Sequence, residues 1–304
     1  MFVIHVDFSC IPLNLAIYPK LLYIVTIVKR SKFKMLDTDE ILNIALDMVD
    51  WNSIPADTAV HVHGKNIKKV MLMIDVTTAD LMLAKNLGCD AVITHHPIGI
   101  SAINFYKVID RHIDYMKENG ISEKAARSSV IDLKKRLEIR NHTQIYSSVI
   151  DSAKLLEMPL VNIHQPCDEY ARRLISQKIL ERNPNLISKI ITVLEEIPEF
   201  KKAETKIQVA YGQPDSYIGK WVAVIAAGTN GGYLVARNYF ENGISTVLYF
   251  HIDYNDLVKL RESNIQGNLV ILGHLAGDSI GMNALGNILE NEGLQVVRKD
   301  IITV

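Results

Sequence analysis

Four apolar runs in this chain end on histidine. ITHHP brings His95 and His96, VNIHQPCD brings His164 and Asp168, LYFHID brings His251 and Asp253, and ILGHLAGD brings His274 and Asp278. Imidazole nitrogen and carboxylate oxygen without thiolate is the ligand set of zinc, iron, manganese or nickel, and several such groups gathered together can hold two ions. One histidine at a strand end is an ordinary hydrogen-bonded or half-exposed residue. Four such ends, two of them with the same H-x-x-x-D spacing, point instead to groups converging from distant parts of the chain. Pro97, directly after the histidine pair, has no N–H to continue a ladder and turns the backbone away. His5, His61, His63, His112 and His142 lack this context and read as structural or surface residues; the HxH of His61 and His63 is a weak metal signal by itself.

Parallel α/β sheets collect functional groups at the carboxyl ends of their strands, so convergence requires strands that run side by side. VMLMIDV (70–76) reads as a fully buried strand, TTADLMLAKNLG (77–88) as a helix stopped by glycine, and DAVIT (90–94) as a second buried strand. WVAVIAA from Trp221, the turn GTNGG, the helix YLVARNYFENG and the strand STVLYF repeat that order. Aligning Val70 with Val222, with a three-residue gap before the glycine, pairs Thr77 with Thr229, Ala84 with Ala236, Asn86 with Asn238, Gly88 with Gly243, Val92 with Val247 and His96 with His251. This is a weak internal duplication. The expected fold class is α/β, with two similar α/β halves facing one another.

Around these units, MLDTDEILNIALDMVDW predicts a helix capped by Asp37 or Thr38, and Thr58 to His63 a short strand. Residues 101–157 read as a mostly helical insertion in which the basic run KKR at 134–136 is a solvated helix face. MPLVNIHQPCD (158–168) reads as a strand ending in His164, EYARRLISQKIL (169–180) as a helix with Asp168 near its start, and KIQVAYG (206–212) as a strand. DYNDLVKLRE is a further helix, NLVILG (268–273) the last strand before the helix NALGNILENEG (283–293), and VVRKDI a terminal strand. The chain then divides into residues 1–34, an N-terminal extension or upstream start; 35–200, the first half with its insertion at about 101–157; and 205–304, the second half.

Other chemistries find little support. GTNGGY (228–233) is neither GxGxxG nor GxxxxGK[ST]; it is a tight turn that lets strand and helix pack, or an anion contact through its N–H groups. No G-x-S-x-G elbow occurs, and nothing marks Cys167 as an activated thiol. Lys and Arg number 33 against 34 Asp and Glu, so no global field attracts nucleic acid or anionic membrane. Cys10, Cys89 and Cys167 lie far apart without a CxxC pair, as suits a reducing cytoplasm. Pro19 and Lys20 interrupt the apolar stretch 11–30, leaving Leu21 to Val28, far short of the ~20 residues of a spanning helix. The expected protein is cytoplasmic, without a membrane partner, and nucleic acid is not an expected ligand.

Three motifs in order resemble the Nif-three-like dinuclear metal proteins, often labelled homologues of a type 2 GTP cyclohydrolase. ITHHP is similar to that family's strand-terminal His-His-Pro, HQPCD to its His-Thr-x-x-Asp segment, and GHLAGDSIGMNAL to its terminal Gly-His-x-x-Ser-Glu stretch; Trp51 and Asn52 echo its early Trp-Asp-Asn. Coverage runs from about Met35 to the C-terminus. The resemblance implies two α/β halves enclosing two divalent metal ions (zinc, iron or manganese), in subunits that assemble as a toroidal hexamer. It carries His95, His96, Asp168 and His274 over as ligands, with Asp278 standing where glutamate is usual, and makes His164 a near-site proton carrier or substrate contact. Gly277 stands where serine is common and Gln165 where threonine is usual, and residues 97–163 separate the first two motifs by more than short members show. The implied chemistry is metal-assisted hydrolysis of a small molecule, a nucleotide-like or phosphorylated one; a metal-binding scaffold or regulatory partner without turnover is the alternative.

Overall fold

The computed structural model describes residues 35–304. The readings of residues 1–34 as an extension, and of 11–30 as too interrupted to span a membrane, fall outside the described residues. No helix among the described residues is long and apolar enough to cross a membrane.

In chain order the strands are β1 (Ala59–Val62), β2 (Lys69–Met73), β3 (Ala91–Thr94), β4 (Leu160–Asn162), β5 (Gln208–Tyr211), β6 (Trp221–Ala223), β7 (Thr246–Tyr249), β8 (Asn268–Ile271) and β9 (Gln295–Lys299). The helices are α1 (Thr38–Asp47), α2 (Thr78–Asn86), α3 (Gly99–Asn104), α4 (Arg111–Glu118), α5 (Glu123–Asn141), α6 (Ser148–Leu155), α7 (Gln165–Arg182), α8 (Ile187–Leu194), α9 (Pro198–Lys202), α10 (Gly232–Glu241), α11 (Tyr254–Glu262) and α12 (His274–Asn291). Local chemistry sets the starts of the two regular helices near the N-terminus. Asp37 and Glu40 form a reciprocal capping box on α1, and Thr77 and Asp80 form one on α2. Gly88 and Gly243, both at positive φ, end the helices of the two βαβ units.

The duplication is realised strand by strand. One sheet runs β1-β4-β3-β2-β9 and the other β5-β8-β7-β6, so four strands of each follow the same order. In both, the first strand is antiparallel to its neighbour and the next three are parallel. Even the irregularity recurs: the register shifts between Val60 and Val62 in β1, and between Val209 and Tyr211 in β5, leaving His61 and Ala210 as the extra residues. The odd member is β9, which returns from the C-terminus to pair in parallel with β2.

Strand alternation divides the core. Val70, Leu72, Ile93 and Val161 face α1 and the second half of α12, while Met71, Met73, Val92 and Leu160 face α2 and α6. In the other sheet Ala223, Leu248 and Val270 face α7, α8 and the start of α12, whereas Val222, Val247 and Leu269 face α4, α5 and α10. Thus α7 and α12 contribute to the cores of both sheets and carry their N-termini to one place. Residues 101–157 are mostly helical, and their α4 and α5 pack on the second sheet rather than the first.

Candidate metal centre

Three strand ends deliver the cluster. After β3, the His95 N–H donates to Met73 O at 2.9 Å, which holds the histidine pair at the lip of the sheet. After β4, His164 caps α7, with Pro166 in the first turn and Asp168 one turn on. After β8, Gly273 at φ +106° turns the chain directly into α12, whose first residue is His274 and whose fifth is Asp278. The helices therefore begin at 165 and 274, not at the expected 169 and 283. Both H-x-x-x-D spacings become i,i+4 pairs on a helix or at its cap, which puts imidazole and carboxylate on one face.

Five side chains from these ends lie within contact distance. His95 Nε2 lies 3.4 Å from Asp168 Oδ1 and 3.7 Å from Asp278 Oδ1. Asp278 Oδ2 lies 3.4 Å from His96 Nε2 and 3.2 Å from His274 Nε2. Three donor groups result: His95/Asp168/Asp278 and His96/His274/Asp278, which share Asp278, and His95/His96/His164. A tetrahedron of ligands about 2.1 Å from an ion has edges of about 3.4 Å, so these spacings fit metal-ligand polyhedra. Buried His95 Nε2 and Asp278 Oδ2 have no hydrogen-bond partner among the described residues, although burial ordinarily demands one.

Hydrogen bonds on the far side of each ring fix which nitrogen is free. His95 Nδ1–H donates to Ile163 O at 3.1 Å, and His96 Nδ1–H to Asp75 Oδ1 at 2.8 Å. His164 Nδ1–H donates to buried Asp57 Oδ2 at 2.7 Å, leaving Nε2 3.7 Å from Asp168 Oδ2. Each of these rings therefore turns a bare Nε2 inward, the arrangement that supports metal-binding histidines. His251 is held the opposite way. The Gly232 N–H donates to Asn230 Oδ1, which orients the amide so that Asn230 Nδ2 donates to His251 Nδ1 at 3.1 Å. Its proton then sits on Nε2, and His251 is a hydrogen-bond donor beside His274, with ring centroids 4.4 Å apart.

Burial and charge pairing oppose one another across the cluster. Burial opposes charge on His95, but Asp278 and Asp168 outweigh it and hold its pKa well above the ordinary value. Burial likewise opposes charge on His96, which Asp278 raises, and it would raise Asp278, which the histidines pull down. His274 is lowered by burial, and His251 is lowered to about 4 by burial and by the neighbouring His274. The two buried carboxylates thus make a negative pocket that a proton on His95, or a cation in its place, neutralises.

His95, His96, Asp168, His274 and Asp278 all sit in the cluster, and so does His164, whose ligand atom groups with those of His95 and His96. His251, grouped with these strand ends in the sequence, also joins the site; Asp253 instead caps α11 by accepting from the Asn255 N–H at 2.8 Å. Cys167 is buried against Met282. Asp57, Asp75 and Asn230 were not anticipated. A carboxylate ending VMLMID was the available signal for Asp75; Asp57 lies in an ordinary polar turn, and Asn230 belonged to the glycine-rich turn read as packing or anion contact. Gly277, standing where serine was expected, has a physical reason: a Cβ there would lie 2.4 Å from the Phe250 ring.

Residues 58–303 match the family model for Duf34/NIF3 (NGG1p interacting factor 3). Among solved structures, a NIF3 superfamily protein from Sphaerobacter thermophilus is 41% identical with a TM-score of 0.85, over 88% of this chain and 99% of that one. Reduced HcgD from Methanocaldococcus jannaschii shares the fold at 13% identity and a TM-score of 0.57, over 88% and 99%. A Bacillus cereus protein related to NIF3 does so at 10% identity and 0.53, over 89% and 98%. No curated protein matches the chain.

Proposed function

The chain belongs to the Duf34/NIF3 family, and from that premise we propose that it is a dinuclear metal-dependent hydrolase acting on a nucleotide-like or phosphorylated small molecule, GTP cyclohydrolase type 2-like in its chemistry. The observation that carries this reading is the pair of donor groups sharing Asp278. Their imidazole and carboxylate donors suit zinc, iron or manganese. When bound, two divalent ions supply a water of lowered pKa and stabilise oxyanion charge on the substrate. Asp168 and Asp278 would hold them together with His95, His96 and His274. His164, with Nδ1–H fixed by Asp57, keeps a lone pair on Nε2 and takes up the proton that the attacking water loses. His251 offers Nε2–H to a substrate oxygen. The family resemblance also carries the proposal of a toroidal hexamer, which light scattering on the full chain reads directly.

The test is hydrolysis by the divalent-loaded protein of a panel of nucleotides, GTP included, and phosphoesters. Turnover of a panel member is expected, falling about 100-fold or more in His164→Ala and less in Asp57→Asn, with bound metal unchanged. Full metal loading with no turnover of any compound would favour a scaffold or regulatory partner instead.

A further inference from the structure

A cleft of about 890 Å³ opens from the cluster, lined on one side by His96, His164, His251 and His274. Its lining also includes one face of α5, carrying Leu133, Arg136, Leu137, Arg140 and Asn141 at helical spacing, with Gln144 just beyond the helix. That face is fixed in place. Leu133 and Leu137 are buried in the core of the second sheet, Lys134 pairs with Asp110 at 2.6 Å, and Asn141 Nδ2 donates to Ile103 O at 2.9 Å. Arg136 and Arg140 stand one helical turn apart, roughly 6 Å. Neither guanidinium has a hydrogen bond or ion pair among the described residues. Every other described arginine does, to a carboxylate or to a backbone carbonyl. The two unpaired arginines therefore share one wall of the cleft that leads to the histidines.

We propose that Arg136 and Arg140 form an anion site that grips a phosphate of the substrate while its reacting end lies against the cluster; this rests on the reading of that cluster as the reaction centre. Guanidinium forks match phosphate oxygens bidentately, and two forks one turn apart suit a group carrying more than one charge. The remaining charged lining orients the ligand. Asp253 and Asp256 also border the cleft, Asp253 held on the α11 N–H groups and Asp256 4.0 Å from Lys259. An anionic group is favoured at α5 and repelled from α11. A continuous nucleic-acid backbone would have to cross both, whereas a small molecule with its phosphate at one end would not. The basic run expected to be a solvated helix face thus splits: Lys134 is paired, Lys135 is exposed, and Arg136 faces the cleft.

The experiment is calorimetric titration of the full-length, metal-loaded protein with inorganic phosphate and with tripolyphosphate, repeated on Arg136→Gln/Arg140→Gln and on Lys135→Gln. Tripolyphosphate affinity should fall about ten-fold or more in the arginine variant, with metal content unchanged, and should hold in Lys135→Gln. For any phosphorylated compound that is hydrolysed, KM should rise while kcat changes little. Equal tripolyphosphate affinity in parent and arginine variant, or none in the parent, overturns the proposal, as does arginine-dependent binding of a random single-stranded oligonucleotide in preference to tripolyphosphate. Arginine-dependent binding with no hydrolysis of any compound would instead count against the hydrolase reading and leave the anion site standing.

Discussion

His112, fully buried on α4, donates from Nε2 to Thr229 O at 3.0 Å while its Nδ1 has no partner among the described residues. It ties the insertion to the turn whose Asn230 orients His251. Burial lowers its pKa from 6.5 to about 4, so between those values the unfolded chain binds a proton that the folded chain refuses. Its contribution is fully present above pH 6.5 and is lost as pH falls toward 4, by about 3 kcal/mol at most. Urea denaturation across that window should show a shallower loss of stability in His112→Gln than in the parent. Equal slopes would mean that His112 takes up its proton without cost. The signal that singled out the candidate cluster did not reach this residue. The convergence of His95, His96, Asp168, His274 and Asp278 was legible because strand ends repeatedly carried metal-ligand types. His112 carried no such mark, and Asp57 sits in a polar turn where an acid is commonplace.

Between elements, the site depends on how closely α7 and α12 approach. A Cβ on Gly281 would lie 2.2 Å from the carbonyl oxygen of Cys167, a backbone atom that cannot swing aside. Cys167 directly precedes Asp168, and Gly281 lies about one helical turn after Asp278 on α12. Their contact therefore sets the separation of the two carboxylates. Gly281→Ala should cost about 3 kcal/mol, the upper end for an overpacked core, and should weaken metal binding as Asp168 and Asp278 part. Thermal denaturation and a metal titration measure the two effects, and an unperturbed Tm would show that α12 slides freely over α7. Sequence patterning located both helices but started them late. Glycine-rich HLAGDSIGM has weak intrinsic helix propensity, and here tertiary packing that demands small residues overrides it.

At the scale of the whole molecule, the paired βαβ units were legible because strand, helix and glycine recur in the same order with matching residues. The return of β9 to the first sheet, and the packing of α4 and α5 on the second, were not. An apolar face in a sequence announces that something covers it, not which distant segment does so. Both long-range connections matter for the site, since α12 leads into β9 and α5 walls the cleft. The central claim is that two such halves bring together donors for two ions, and elemental analysis of the folded protein tests it most directly. After loading with zinc, iron or manganese and removal of excess, the parent should retain two ions per chain, and His95→Ala/His96→Ala, folded by circular dichroism, should lose most of them. Full occupancy in that folded double variant, or no retained metal in the parent, would contradict the account.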